Sequence, residues 1–107
     1  MNKVMLIGRL ATDVEYNEEK KYARFSLAIN EKVGEENRVY YLNHICFGKL
    51  AEIVKKYVNK GDKLHTEGKI VQNQDKEKRN QISIYVEKIE FLGKKQENVK
   101  DDEEFPF

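Results

Sequence analysis

An all-β barrel carrying one short helix is the fold this chain predicts, and three observations predict it. Apolar and polar residues alternate with a period of two along most of residues 1–92. One segment near the middle switches to helical spacing. Past Gly93 the apolar pattern stops and a charged tail takes over.

Val4–Leu10 reads as the first strand, with Gly8 allowing a bend or a close backbone approach. Thr12 to Lys21 is polar and reads as a turn. From Tyr22 to Asn30 the chain alternates. Ala23, Phe25, Leu27 and Ile29 share one face, and Tyr22, Arg24, Ser26 and Ala28 share the other, as in a half-buried strand. The segment from Val33 to Asn37 contains Gly34 and reads as a hairpin loop. Arg38 to Phe47 is a long strand rich in aromatic and β-branched residues. Leu50, Ile53, Val54 and Tyr57 then fall at i, i+3, i+4 and i+7, one stripe of a short amphipathic helix. Lys60-Gly61-Asp62 closes it, with a glycine just past the last turn. Lys63 to Val71 is the fourth strand and Gln72 to Asn80 a polar loop. Gln81 to Leu92 is the fifth strand, with Ile82, Ile84 and Val86 alternating. A helix between the third and fourth of five strands is the layout of an OB-fold, a five-stranded barrel that often binds single strands. An SH3-like small barrel is the competing reading, and a full helical segment at that place favours the OB-fold.

The 107 residues make one domain, residues 1–92, and a tail, residues 93–107, expected to be disordered. Hydrophobic residues are 39% and charged residues 36% of the chain, enough apolar content for one modest core. The net charge of +1 hides an asymmetry. Residues 97–107 hold five acids and one base, which leaves +5 on the body. A basic body with an acidic arm suits a polyanion-binding surface. Cys46 is the only cysteine, so neither an intrachain disulfide nor a cysteine-based metal site is expected. Gly8 and Arg9 interrupt the first apolar run well short of a signal-peptide core. No stretch approaches the ~20 apolar residues of a membrane span. The expectation is a soluble protein of the cytoplasm without a cofactor.

Unpaired nucleic acid offers phosphate charge and bare base faces, which cations and aromatic rings grip respectively. Val39, Tyr41, Asn43, Ile45 and Phe47 share one face of the third strand. Tyr41 and Phe47 are candidate stacking platforms, with Asn43 a polar contact between them. Tyr22 and Arg24 lie on one face of the neighbouring strand. Lys3, Arg9, Lys49, Lys60 and Lys69 are candidate phosphate contacts. Core packing is the alternative for each ring, and an ordinary solvated charge for each lysine. No catalytic set accompanies them. His44 alternates with Leu42 and Cys46 as a satisfied or interface histidine would, His65 has no ligand-spaced partner, and Cys46 sits mid-strand without an electropositive pocket.

The chain ends Asp101-Asp102-Glu103-Glu104-Phe105-Pro106-Phe107, four carboxylates running into two rings around the only proline. This tip suits capture by a partner, with an apolar pocket for Phe107 and basic groups for the terminal carboxylate and the acidic run. A frayed acidic terminus is the other reading. Its charge is opposite to the body's, so such an arm can also fold back over a basic surface.

These segments together resemble the bacterial-type single-stranded DNA-binding protein family. The resemblance rests on Asn2-Lys3-Val4-Met5-Leu6-Ile7-Gly8-Arg9-Leu10 with the acids Asp13 and Glu15, and on Phe25-Ser26-Leu27-Ala28-Ile29-Asn30. It rests also on the block Tyr41-Leu42-Asn43-His44-Ile45-Cys46-Phe47-Gly48-Lys49-Leu50-Ala51-Glu52, on Lys60-Gly61 and Glu67-Gly68, and on the tip. It implies a non-enzymatic homotetramer that coats single-stranded DNA with little sequence preference. Its tips would recruit replication, recombination and repair proteins. Position by position, Tyr41 and Phe47 match stacking positions, and Lys3, Asn43, Lys49 and Lys60 match polar or basic contacts. The chain departs from the pattern in having no tryptophan: Val33 stands near one stacking position, and Asn73 to Asp75 offer no ring at another. Phe105 replaces an aliphatic residue, and only about ten residues join barrel and tip, as in a compact version encoded by a phage or mobile element. An OB-fold adaptor between proteins, with weak DNA binding, is the competing function. The missing tryptophans favour it and the acidic tip argues against it.

Overall fold

In a computed structural model, residues 1–94 are described. Among them, six strands and one helix follow the order β1 (Val4–Leu10), β2 (Glu15–Asn17), β3 (Tyr22–Val33), β4 (Glu36–Phe47), α1 (Gly48–Tyr57), β5 (Lys63–Gln74) and β6 (Asn80–Gly93). The strands form one sheet in the order β1-β5-β6-β4-β3-β2, and β1 also pairs β3 through Arg9–Ala28 and Leu10–Leu27. That extra pairing closes β1, β5, β6, β4 and β3 into a barrel. All neighbours are antiparallel except β4 and β6, which run parallel over His44–Ile84 and Ile45–Tyr85. Closure removes most open edges, which a sheet this small must protect.

The core follows from the alternation. Ala23, Phe25 and Leu27 of β3, Cys46 of β4, Leu64 of β5, and Ile84 and Val86 of β6 all point inward and are buried, with Leu10 closing one end. Burying apolar area of this kind is the main force holding so small a barrel. Ile82, by contrast, is exposed: β5 and β6 extend beyond the barrel as a two-stranded arm, where there is no interior to enter.

Four expectations are corrected in detail. The segment Thr12–Lys21 contains β2, whose three residues pair with Tyr22–Arg24 around a turn held by the Lys20 amide donating to Asn17 Oδ1 at 2.8 Å. Hairpin pairing runs further than the apolar pattern, to Val33–Glu36 in one arm and Gln74–Asn80 in the other. Backbone ladders continue there without a buried face to signal them. The helix turns Ala51 and Val54 inward, followed by Val58, and leaves Ile53 and Tyr57 exposed, because only small residues let it sit close on the barrel end. Its last turn closes at Val58. Gly61 instead shapes a following turn in which Gly61 N donates to Leu10 O and Leu10 N to Asp62 O, tying the loop to β1.

The junction of β4 and α1 is a sharp reversal at Gly48, whose φ of +63° suits glycine. Its amide donates to Lys21 O at 2.9 Å. Gly68 serves differently. A Cβ there would collide with the backbone of Tyr85, so glycine lets β5 lie close against β6 beside a register shift at Glu67/Gly68.

Candidate nucleic-acid interface

On the outside of the barrel, strand register assembles one continuous row. Glu15 lies opposite Arg24, Arg24 opposite Ile45, Ile45 beside Tyr85, and Tyr85 opposite Lys69. Lys3 stands between the Val4–Gly68 pair and Asn2, whose side chain exchanges two hydrogen bonds with the Ile70 backbone, so it faces Lys69 across the strands. One step along, Tyr22 lies opposite Phe47.

Rings and cations in these rows touch. The Phe47 ring centroid is 5.1 Å from that of Tyr85 and 6.1 Å from that of Tyr22, both tilted. The Arg24 guanidinium lies 5.7 Å from the Tyr22 ring and Lys69 Nζ 5.8 Å from the Tyr85 ring. The result is a ladder, Arg24–Tyr22–Phe47–Tyr85–Lys69, across four strands. Phe47 keeps 43% of its surface exposed and Tyr41 68%. Neither ring is in the core, so the core-packing alternative is set aside for both. Tyr41 stands on the same outer face at the base of the β3–β4 arm, opposite Ala28.

Beside the ladder runs a groove of about 610 Å³, walled by Arg24, Ser26, Asn43, Ile45, Ser83 and Tyr85 and bounded by the loop after β1 and the β5–β6 turn. Asp75 builds that turn. Its Oδ1 accepts from the Glu77 and Arg79 amides at 2.9 Å, and its Oδ2 from Arg79 Nε at 3.1 Å. These bonds, the Arg79 amide first, hold its carboxyl below the usual carboxylate range. Arg24 is paired with Glu15 at 3.3 Å. An exposed pair of this kind is worth only about 0–1 kcal/mol, so a phosphate can compete for the guanidinium.

The structure therefore brings together Tyr22, Arg24, Asn43, Phe47 and Lys69, with Lys3 beside them. Lys49 is exposed in the first turn of α1, two residues past Phe47. Arg9 and Lys60 fall elsewhere. Arg9 Nη1 donates to Gly61 O at 2.9 Å, bracing the loop that carries Lys60, and neither residue walls the groove. Asp101, Asp102, Glu103, Glu104, Phe105, Pro106 and Phe107 lie outside the described residues. Sequence reasoning missed Tyr85, although the signal was present: Ile84 and Val86 point inward, so the residue between them must point out.

Behind the ladder, His44 is buried and satisfied. Its Nδ1 is 2.9 Å from Leu42 O, an acceptor only, so Nδ1 carries the proton and Thr66 Oγ1 donates to Nε2 at 3.1 Å. The Phe25 ring stacks on it at 5.1 Å. Burial lowers its pKa to about 4 against the Leu42 hydrogen bond, which raises it. Burial likewise pushes the Cys46 thiol up to about 11, which removes it as a nucleophile. Among the described residues no cluster of His, Cys, Asp and Glu is suited to hold a metal, and no helix is long and apolar enough to cross a membrane.

A closed five-stranded barrel with its helix between β4 and β5 is an OB-fold, and the comparisons agree. A chain of the Plasmodium falciparum SSB complex with ssDNA superposes with a TM-score of 0.72 at 22% identity, covering 86% of this chain and 95% of that one. The model of the Single-strand binding protein family matches residues 1–92. Similar proteins include the single-stranded DNA-binding proteins of Clostridium perfringens, 34% identical over 86% of this chain and 66% of its own length, and of Bacteroides thetaiotaomicron, 36% identical over 92% and 70%. The chain spans about two thirds of the length of the relatives it matches. It belongs to the single-strand binding protein family.

Proposed function

We propose that this chain is a non-enzymatic protein that binds and protects single-stranded DNA with little sequence preference. The observation that carries the reading is the exposed ladder of Tyr22, Phe47 and Tyr85 with Arg24 and Lys69 at its ends. Rings accept any base face at about 1–3 kcal/mol per stacked base, and the cations meet phosphates. Register alone spaces these groups, so the surface is preformed and little ordering opposes binding. The names of its relatives support the same ligand. Ring stacking also supplies what the absent tryptophans would, since Tyr85 adds a third platform to the two expected.

In this reading the protein acts in the cytoplasm during replication, recombination and repair, as a homotetramer. Residues Asp101–Phe107 recruit the enzymes of those processes. Titrating oligo-dT at two salt concentrations is the test. Counterion release should make log affinity fall by about 0.7 per phosphate neutralised for each tenfold rise in salt. Weak binding at low salt together with a flat salt response would defeat the reading and leave an adaptor between proteins.

A further inference from the structure

The lysines at the β1–β5 end of the ladder differ from the arginines beside the groove. Arg24 and Arg79 are each paired with carboxylates. Lys3 and Lys69 are exposed and, among the described residues, form no salt bridge. The one acid of β5, Glu67, lies opposite Lys88 instead. The register that pairs Val4 with Gly68 sets Lys3 opposite Lys69. Facing residues of antiparallel strands are only about 4.5–5.5 Å apart at Cα. Two like charges held that close repel unless an anion joins them.

Lys69 is held by its own strand, with Nζ 5.8 Å from the Tyr85 ring. Lys3 is not, because β1 begins only at Val4. Its anchor is the residue before it. Asn2 Nδ2 donates to Ile70 O at 2.8 Å, and the Ile70 amide donates to Asn2 Oδ1 at 2.9 Å. The amide side chain thus does what the backbone of a neighbouring strand does, and Lys3 is tied on both sides, through Asn2 and through Val4.

We propose that Asn2 is a positioning residue: it holds Lys3 beside Lys69, so that the two ammonium groups form a seat for one backbone phosphate at the Tyr85 end of the ladder. This rests on the DNA-binding reading above and adds to it a residue that touches no DNA. The seat suits phosphate, a compact anion with oxygens enough for both ammonium groups, each a point charge with three donors. A nucleotide stacked on Tyr85 presents its phosphate there, because Lys69 already stands over that ring. The two ends of the ladder then differ. At Arg24 a phosphate must displace Glu15, whereas at Lys3 and Lys69 it relieves a repulsion. A lysine left loose would have to be ordered when DNA arrives, and the Asn2 clamp orders it beforehand.

The test is a double-mutant cycle on the full chain, with oligo-dT titrated over a range of salt into the wild type, Asn2→Ala, Lys3→Ala and the double variant. Lys3→Ala should reduce the salt slope by about 0.7, the share of one phosphate. Asn2→Ala should lower affinity by about twofold to tenfold, the cost of ordering one long side chain on binding. It should also speed exchange of the Ile70 amide hydrogen and leave the melting temperature unchanged. The double variant should bind no worse than Lys3→Ala alone, because Asn2 acts through Lys3. An Asn2→Ala loss that persists in full on the Lys3→Ala background would overturn the proposal and make Asn2 a strand-end support. So would Asn2→Ala binding as the wild type does: if the wild type binds with a steep salt response, that result removes the clamp alone. A wild type that fails to bind at low salt removes the DNA-binding reading itself, and the seat with it.

Discussion

Inward, β4 presents Leu42, His44 and Cys46 to the barrel; outward, one residue over, it presents Tyr41, Asn43, Ile45 and Phe47. The inward set is closed. Both nitrogens of His44 are satisfied by fixed partners, and burial keeps Cys46 a neutral thiol. The outward set is open, for Phe47 packs on Tyr22 and Tyr85 yet keeps nearly half its surface, and Tyr41 keeps more. Polarity therefore does not mark function on this strand. The polar histidine is structural, and the apolar rings are the groups left to meet a ligand.

The closed side breaks hardest. His44→Leu removes the buried partners of Thr66 Oγ1 and of the Leu42 carbonyl, and stability should fall by about 2–4 kcal/mol in urea melts. Oligo-dT affinity of the folded protein should stay unchanged. A matching loss of affinity would show that the two faces are not independent.

Acid attacks the same residue. As pH falls below 6.5 the unfolded chain takes up a proton at His44, whereas the folded chain does so only near 4. The stability tied to the neutral ring is thus full above 6.5 and is lost between 6.5 and 4, by about 3 kcal/mol. His44→Gln should flatten that part of the stability profile, and an unchanged slope would assign it to carboxylates alone.

On the open side, Phe47→Ala and Tyr85→Ala should each lower oligo-dT affinity by about 1–3 kcal/mol while costing stability under about 1 kcal/mol. Because the two rings touch, the double variant should lose less than the sum of the singles. Lower melting temperature with intact binding would return both rings to a packing role. Tyr41→Ala should have the smallest effect, about 1 kcal/mol of affinity and no change in melting, since Tyr41 touches no other ring of the ladder.

Much of this division was legible in the sequence because a strand has a period of two. Alternation placed Ala23, Phe25 and Leu27 inside and Tyr22 and Arg24 outside, and it separated Phe47 from Cys46. It failed where burial stops. β2 and the two hairpin arms are held by backbone pairing that no apolar pattern reports, so Glu15–Asn17 read as turn, and Ile82 shares the alternation of the buried Ile84 and Val86 yet lies exposed. The helix stripe was placed by its large residues, but the barrel end admits Ala51 and leaves Ile53 and Tyr57 out. Arg9 shows a further limit. Its charge was visible, but the Gly61 carbonyl that holds it comes from a loop 52 residues away. Tyr85 needed only the complement of a pattern already recognised.

Photocrosslinking of oligo-dT to the full chain, with the attached residues mapped by mass spectrometry, tests the open face most directly, because a thymine stacked on a ring is placed to bond with it. Crosslinks should fall on Phe47, Tyr85 and Tyr22, and Phe47→Ala should reduce those at its two neighbours. Crosslinks confined to Tyr16, Tyr57 or Phe91, with none on the ladder, would contradict the assignment of DNA to the outer face of β4.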